Sequence, residues 1–195
     1  MRLLGTTTSP YVRKVRIVAA AAGLDLPLID SREGEGKALL ERVAPLGKVP
    51  VLVLDDAEGR VLADSSLAVS FLWSEHEVQL RRAGFDLSPG WPSQARQLEV
   101  EGALDAAINR FYLLKDGHED RGYVAKQGAR VLAVMASLDR WLEWPERSTL
   151  WSLSAGCALD WMAFRQVVPL EQWPLVMAFL GAWRASGIGR GTEPR

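Results

Sequence analysis

Short apolar strands alternate with amphipathic helices in the first eighty residues, and the alternation ends in a Gly- and Pro-containing stretch. Residues 1–78 give the order β-α-β-α-β-β-α, which predicts an α/β domain with helices on the faces of a mixed sheet. Residues 79–89 are polar and include Gly84 and Pro89, so we predict a linker there. Residues 90–195 keep helical periodicity without strand signals, which predicts an all-α second domain.

Composition narrows the classes of function. The net charge of −1 lacks the basic excess that is typical of nucleic-acid binding, so we expect no nucleic-acid partner. One cysteine and two histidines exclude an internal disulfide and argue against a metal site. Because no run approaches about 18 apolar residues and no apolar signal core begins the chain, we expect a cytoplasmic protein without a membrane segment. Seven of the eight tryptophans lie after residue 90 and predict aromatic packing in the second half.

Hydroxyl side chains fill the segment between the first strand and the first helix. Ser9 and Pro10 have the residue types of an N-cap and a first helical position. Backbone N–H groups at a helix N-terminus stabilise negative charge, so a thiol held there would have a lowered pKa. Two interpretations are open: Ser9 caps its helix, or it stabilises a bound thiolate. The two uses are expected to compete for one hydroxyl.

The pair Val49-Pro50 directly precedes an apolar strand at residues 51–54. An X-Pro bond in this position is a candidate for the cis form. A cis bond would turn the N–H and C=O of Val49 outward, where an extended peptide can pair with them as an added strand does. The alternative is an ordinary proline at a strand end.

The pair Asp64-Ser65 opens the next helix. Ser65 and the free N–H groups there suit a carboxylate, and Asp64 suits an ammonium, so the pair fits the end of an α-amino acid that carries both charges. Lys48 is a cation that could meet a second carboxylate. The alternatives are plain N-capping by Asp-Ser and a solvated surface lysine.

The order and spacing of these features resemble those of the glutathione S-transferase family. The matching segments are SPYVRKVRI at 9–17, APLGKVPVLV at 44–53 and DSSLAVSFL at 64–72. The closing AFRQVVP at 163–169 is similar to small bacterial members. The resemblance covers essentially the whole chain and implies a thioredoxin-like N-terminal domain followed by an all-helical C-terminal domain.

The resemblance also implies a glutathione site. Val49, next to Pro50, would pair through its backbone with the cysteinyl part of glutathione. Asp64 and Ser65 would hold the γ-glutamyl end, and Lys48 would reach a carboxylate of the tripeptide. Ser9 matches the position at which serine-type members stabilise the thiolate.

The implied function is a glutathione S-transferase that conjugates glutathione, bound as thiolate, to a small hydrophobic electrophile. Glutathione is then a co-substrate, no cofactor is bound permanently, the chain forms a homodimer, and its role is detoxification. The alternatives are a catalytically weak binding or regulatory protein and a glutathione-dependent peroxidase. The electrophile pocket is expected between the domains, lined by Thr7, Thr8, Tyr11, Arg110, Phe111 and Leu114.

Two departures from the family pattern stand out. No cysteine lies near the first loop, which disfavours thiol transfer, and Cys157 reads as a small buried hydrophobic residue of a later helix. The family's Ser/Thr-x-x-Asp cap is replaced by Thr149-Leu-Trp-Ser152. We therefore expect the loss of a reciprocal capping partner, at a cost of about 1 kcal/mol.

Overall fold

The computed structural model describes residues 1–194 and divides into two compact units, residues 1–88 with 188–194 and residues Pro89–Gly187. The elements of the first unit are β1 (Arg2–Gly5), α1 (Pro10–Ala21), β2 (Leu28–Asp30), α2 (Gly34–Val43), β3 (Val51–Val53), β4 (Val61–Ala63), α3 (Ser65–Arg82) and β5 (Phe85–Asp86). Those of the second are α4 (Trp91–Lys115), α5 (Tyr123–Leu138), β6 (Ser148–Thr149), α6 (Leu150–Arg165), a 3₁₀ turn (Leu170–Gln172) and α7 (Pro174–Ser186). The predicted fold class is confirmed.

The four longer strands form one sheet in the order β2-β1-β3-β4. β1 is parallel to β2 and antiparallel to β3, and β3 is antiparallel to β4. The register places Val51, at the start of β3, opposite Leu4 near the end of β1 and opposite Ala63 at the end of β4. The loop after β1, the segment before β3 and the turn after β4 therefore meet at one end of the sheet.

Helices cover both faces of this sheet. On one face, α2 packs over a buried cluster made of Leu4, Leu40, Ala44, Val51 and Val53. Because successive strand residues point to opposite faces, Leu3 and Leu52 point to the other face, and both are fully buried. Since α1 and α3 pack against each other, this pair covers the second face.

The boundary between the units differs from the predicted linker. α3 continues to Arg82 with a bend at His76, so residues 79–82 are helical and the first unit extends to residue 88 instead of 78. Residues 188–194, which we assigned to the second domain, belong to the first unit. The reason is that residues 188–194 contact α1, which is far away in the sequence. The pattern of neighbouring residues carries no information on such a contact.

The C-terminal segment 188–194 is held by buried hydrogen bonds from α1. Arg13, only 3% exposed, donates from Nε to Thr192 Oγ1 at 3.2 Å and from a terminal nitrogen to the carbonyl of Gly189 at 3.4 Å. Arg16 donates to the carbonyl of Gly191 at 3.3 Å. Burying a guanidinium is costly unless acceptors surround it, so these bonds fix the segment along α1.

The second unit is helical apart from β6, and α6 forms its centre. Residues 150–162 of α6 are all buried, including Cys157 as expected. Gly156 lets α7 approach closely, because a Cβ there would lie 2.2 Å from the ring of Trp183. The predicted aromatic packing is present, with Trp141 5.5 Å from Trp151 between ring centroids. None of the helices within residues 1–194 is long and apolar enough to cross a membrane.

The expected loss of the reciprocal cap at α6 is wrong. Ser152 accepts the N–H of Thr149 at 2.8 Å through its Oγ, while Thr149 Oγ1 accepts the N–H of Ser152 at 3.3 Å. The serine hydroxyl is long enough to reach back to the N-cap residue, so it supplies the capping partner that an acidic side chain would otherwise provide.

The buried hydroxyl of Thr192 gives a test of how the C-terminal segment is held. We expect Thr192→Val to lower the free energy of unfolding by about 1–3 kcal/mol, because the isosteric change removes the acceptor of Arg13 Nε and the hydroxyl that donates to the Gly189 carbonyl. Thr192→Ser keeps the hydroxyl and is expected to retain most of that stability. Urea unfolding measures both, and equal effects of the two variants would contradict the assigned hydrogen bonds.

Candidate functional site

The loop after β1 is held against the start of α1. Gly5 ends β1, and a Cβ there would lie 2.3 Å from Cγ2 of Val12, so only glycine allows this approach of strand to helix. Ser9 is the N-cap of α1, and its Oγ accepts the N–H of Val12 at 3.3 Å. Pro10 is the first helical residue, as its fixed φ favours. The half-buried Ser9 hydroxyl is thus fixed at the N-terminus of a helix of 12 residues.

The expected competition between capping and thiolate stabilisation does not arise. A serine hydroxyl has one donor hydrogen and two acceptor lone pairs. Capping uses a lone pair of Ser9, whereas a thiolate would need the hydrogen. The cap also orients the side chain, so one hydroxyl can perform both roles at once.

The other residues proposed near this loop occupy the same segment. Thr6 and Thr8 hydrogen-bond to each other through their hydroxyls at 3.3 Å. Thr7 is half-buried in the loop, and Tyr11 is half-buried in the first turn of α1, as the sequence predicts. Ser9 is the one of these residues whose hydroxyl caps α1.

The peptide bond between Val49 and Pro50 is cis, at the start of β3. The side chain of Val49 packs against the core cluster under α2, which anchors the segment. Within residues 1–194, neither the N–H nor the C=O of Val49 forms a hydrogen bond. Both groups remain available for an extended peptide at the end of the sheet where the three loops meet.

Asp64 caps α3 and has an unusual backbone. Its Oδ1 accepts the N–H groups of Ser66 and Leu67 at 2.9 and 3.0 Å. Its φ of 141° is a region that residues other than glycine rarely adopt, at a cost of about 1–3 kcal/mol. Such strain is typical of functional sites. The second carboxylate oxygen of Asp64 has no hydrogen-bond partner among the described residues, so it can accept an ammonium.

Ser65 is only 5% exposed, yet neither its hydroxyl nor its N–H bonds to any group in residues 1–194. Asp64 satisfies the next two N–H groups of α3 but leaves this first one. Both donors can therefore pair with an acceptor from outside the described chain. The hydroxyl and N–H of Ser65 form a pair of donors suited to one carboxylate.

Two lysines differ in their surroundings. Lys48 is exposed and forms no ion pair within the described chain, so it is free to reach a ligand carboxylate. Lys14, which the sequence analysis missed, is only 2% exposed and donates to Ser66 Oγ at 3.3 Å. It therefore ties α1 to the first turn of α3. The apolar periodicity of α1 gave no sign that a lysine would point inward.

The residues proposed for the second unit have distinct environments. Arg110 donates from Nε to Asp120 at 3.3 Å, which lowers the pKa of that carboxyl through side-chain hydrogen bonding. Its stem lies against Gly128 of α5. Phe111 is half-buried and contacts Trp161 edge to face, at 5.7 Å between ring centroids. Leu114 is half-buried one turn further along α4. Arg110 is thus engaged within its own unit.

Comparison with known proteins gives consistent matches. Residues 8–75 match the family model of the glutathione S-transferase N-terminal domain. The uncharacterized GST-like protein YibF of Escherichia coli (strain K12) is 25% identical over 180 residues, which cover 87% of this chain and 85% of YibF. A glutathione S-transferase of Methylobacillus flagellatus KT, solved with glutathione bound, is 25% identical with a TM-score of 0.79, covering 100% of this chain and 99% of that one. Residues 8–75 therefore match the N-terminal domain of glutathione S-transferases, and the whole chain is similar to members of that family.

A further solved structure has the same fold as this chain. A glutathione S-transferase of Methylobacterium radiotolerans, in complex with glutathione sulfonate, has a TM-score of 0.80 over 99% of this chain and 94% of its own, at 24% identity. The fold that the sequence motifs imply is therefore confirmed, and the match of residues 8–75 to the N-terminal domain supports the resemblance.

The dual role of Asp64 as cap and charge can be separated by substitution. We expect Asp64→Ala to lower the free energy of unfolding by about 1–2 kcal/mol, because the Ser66 and Leu67 N–H groups lose their acceptor. Asp64→Asn keeps an acceptor oxygen and tolerates the positive φ better than most residues, so we expect a change below about 0.5 kcal/mol. Urea denaturation compares the two, and an equally large loss for Asn would show that the charge, not the cap, stabilises α3.

Proposed function

We propose that this protein binds glutathione in its first unit, holds the thiol as thiolate and transfers it to a small hydrophobic electrophile. The observation that carries the proposal is the set of polar groups at Val49 and Ser65 that lack partners within residues 1–194. Each of them would pair with a different part of glutathione. The glutathione-bound relatives add support from the family.

The sheet register supports a common site for these groups. Val49 precedes β3, Asp64 and Ser65 follow β4, and the loop with Ser9 follows β1, so all lie at the same end of the sheet. A tripeptide can then pair its cysteinyl backbone with Val49 and place its α-carboxylate on Ser65. Its ammonium can meet Asp64, and Lys48 is the cation proposed for the remaining carboxylate.

The chemistry follows from where the sulfur would lie. The N-terminus of α1 and the Ser9 hydroxyl both favour a thiolate over a thiol, which lowers the pKa of the glutathione sulfur from about 8.5 toward neutrality. The thiolate then attacks an electrophilic carbon; the sulfur–carbon bond forms as the leaving group departs with its electron pair. Holding both reactants together supplies much of the remaining rate enhancement.

We propose that the electrophile contacts the residues that the resemblance implies. These are Thr7, Thr8 and Tyr11 in the first unit and Arg110, Phe111 and Leu114 in the second. We also propose a homodimer, a cytoplasmic location and a role in detoxification, all by resemblance to the family.

Ser9 provides the test of the mechanism. We expect Ser9→Gly, which retains most of the N-cap stability but has no side-chain donor, to reduce kcat with 1-chloro-2,4-dinitrobenzene by about 10- to 100-fold, because a hydrogen bond to the thiolate is lost. The Kd for glutathione is expected to change little, and the pKa of the bound thiol, followed by thiolate absorbance against pH, is expected to rise. Ser9→Thr is the matched control, since it keeps both cap and hydroxyl.

Two results would revise the proposal. Unchanged kcat and thiol pKa in Ser9→Gly would remove Ser9 from the mechanism. Tight glutathione binding by the wild type without turnover of any electrophile would favour a binding or regulatory protein on this fold.

A further inference from the structure

The second unit contains a cluster of aromatic rings around one arginine, which we call the Arg165 cluster. It consists of Phe111 and Tyr112 on α4 and Trp161, Phe164 and Arg165 on α6. Phe111 lies edge to face with Tyr112 at 5.3 Å and with Trp161 at 5.7 Å. The guanidinium carbon of Arg165 lies 5.1 Å from the centre of the Phe111 ring and 4.8 Å from that of Phe164.

Arg165 is held in place but its hydrogen bonding is unsatisfied. Its Nε is buried and has no acceptor among residues 1–194, and no described carboxylate pairs with the guanidinium. The two ring contacts orient the planar group without satisfying any of its five N–H donors. Arg184, also near the end of a helix, instead pairs with Asp160. Arg165 is therefore a fixed fork of donors without its acceptor.

A second cation lies at the same rings. Lys115 Nζ is 6.0 Å from the centre of the Tyr112 ring, and it has no acidic partner in the described part of the chain. The rings themselves are accessible, since Tyr112 is 49% and Phe164 45% exposed. The cluster thus offers apolar aromatic surface together with two positive charges that no described carboxylate neutralises.

We propose that the Arg165 cluster binds an aromatic carboxylate, with the carboxylate on the guanidinium fork of Arg165 and the ring against Phe111 and Phe164. A carboxylate matches the fork in geometry and charge, and an aromatic ring matches the surrounding surface. The inference does not rest on the proposed function, because every group that carries it lies in the second unit. Arg165 also lies at the C-terminus of α6, where any cation interacts favourably with the helix dipole.

Binding is tested in the absence of glutathione. Calorimetry compares 3,5-dinitrobenzoate with its methyl ester for the wild type and for Arg165→Met, which keeps an apolar stem over the rings. We expect the acid to bind the wild type and the Kd to rise by about 10- to 100-fold in Arg165→Met, with the ester unaffected. Arg165→Lys keeps charge without the fork and should fall between the two. Arg140→Met removes an exposed arginine bonded only to the Ala136 carbonyl and should change nothing.

Equal loss of affinity for acid and ester in Arg165→Met would show a structural role for Arg165 and overturn the inference, as would an unchanged Kd for the acid. Failure of the wild type to bind glutathione would overturn the proposed function instead, and the glutathione-free binding experiment would still decide on the Arg165 cluster.

Discussion

The pairing of Val51 with both Leu4 and Ala63 is the constraint on which the first unit depends. Through it, the end of β1, the start of β3 and the end of β4 lie at one end of the sheet. A slip of one residue would turn Val51 out of the core cluster beneath α2 and separate the loops that follow. The burial of one apolar face therefore fixes both the stability of the sheet and the placement of Ser9, Val49 and Ser65.

The polar groups at this end of the sheet are satisfied unevenly. Asp64 uses one oxygen for the helix cap, and Ser9 uses one lone pair, so each retains a further hydrogen-bonding function. Ser65 is 5% exposed, and its hydroxyl and N–H have no partner in the described chain. In our account a bound tripeptide supplies the missing acceptors. Part of the free-energy cost of arranging these groups is therefore met on folding, before the ligand binds.

Patterns of neighbouring residues predicted the elements of the first unit, but they did not predict the contacts between segments that are distant in the sequence. The Asp-Ser and Ser-Pro pairs marked the starts of α3 and α1, because a cap depends on adjacent residues only. The return of segment 188–194 to Arg13 spans 179 residues, and no periodicity records it. In the sequence, Arg165 likewise has no feature that sets it apart from other cations near a helix end. Only the fold shows that Phe111 of α4 lies against it. The Ser152 cap was misjudged because the family pattern, not the reach of a hydroxyl, guided the expectation.

The central claim, that the partnerless donors of Ser65 form part of a glutathione site, is tested most directly by calorimetric titration with reduced glutathione. Wild type and Ser65→Ala are compared, with Ser74→Ala as a control in the same helix, whose exposed hydroxyl bonds only to the Phe71 carbonyl. The account predicts saturable binding to the wild type and to Ser74→Ala, with a Kd about 10-fold higher in Ser65→Ala. Absence of binding to the wild type at millimolar glutathione, or an unchanged Kd in Ser65→Ala, would contradict it.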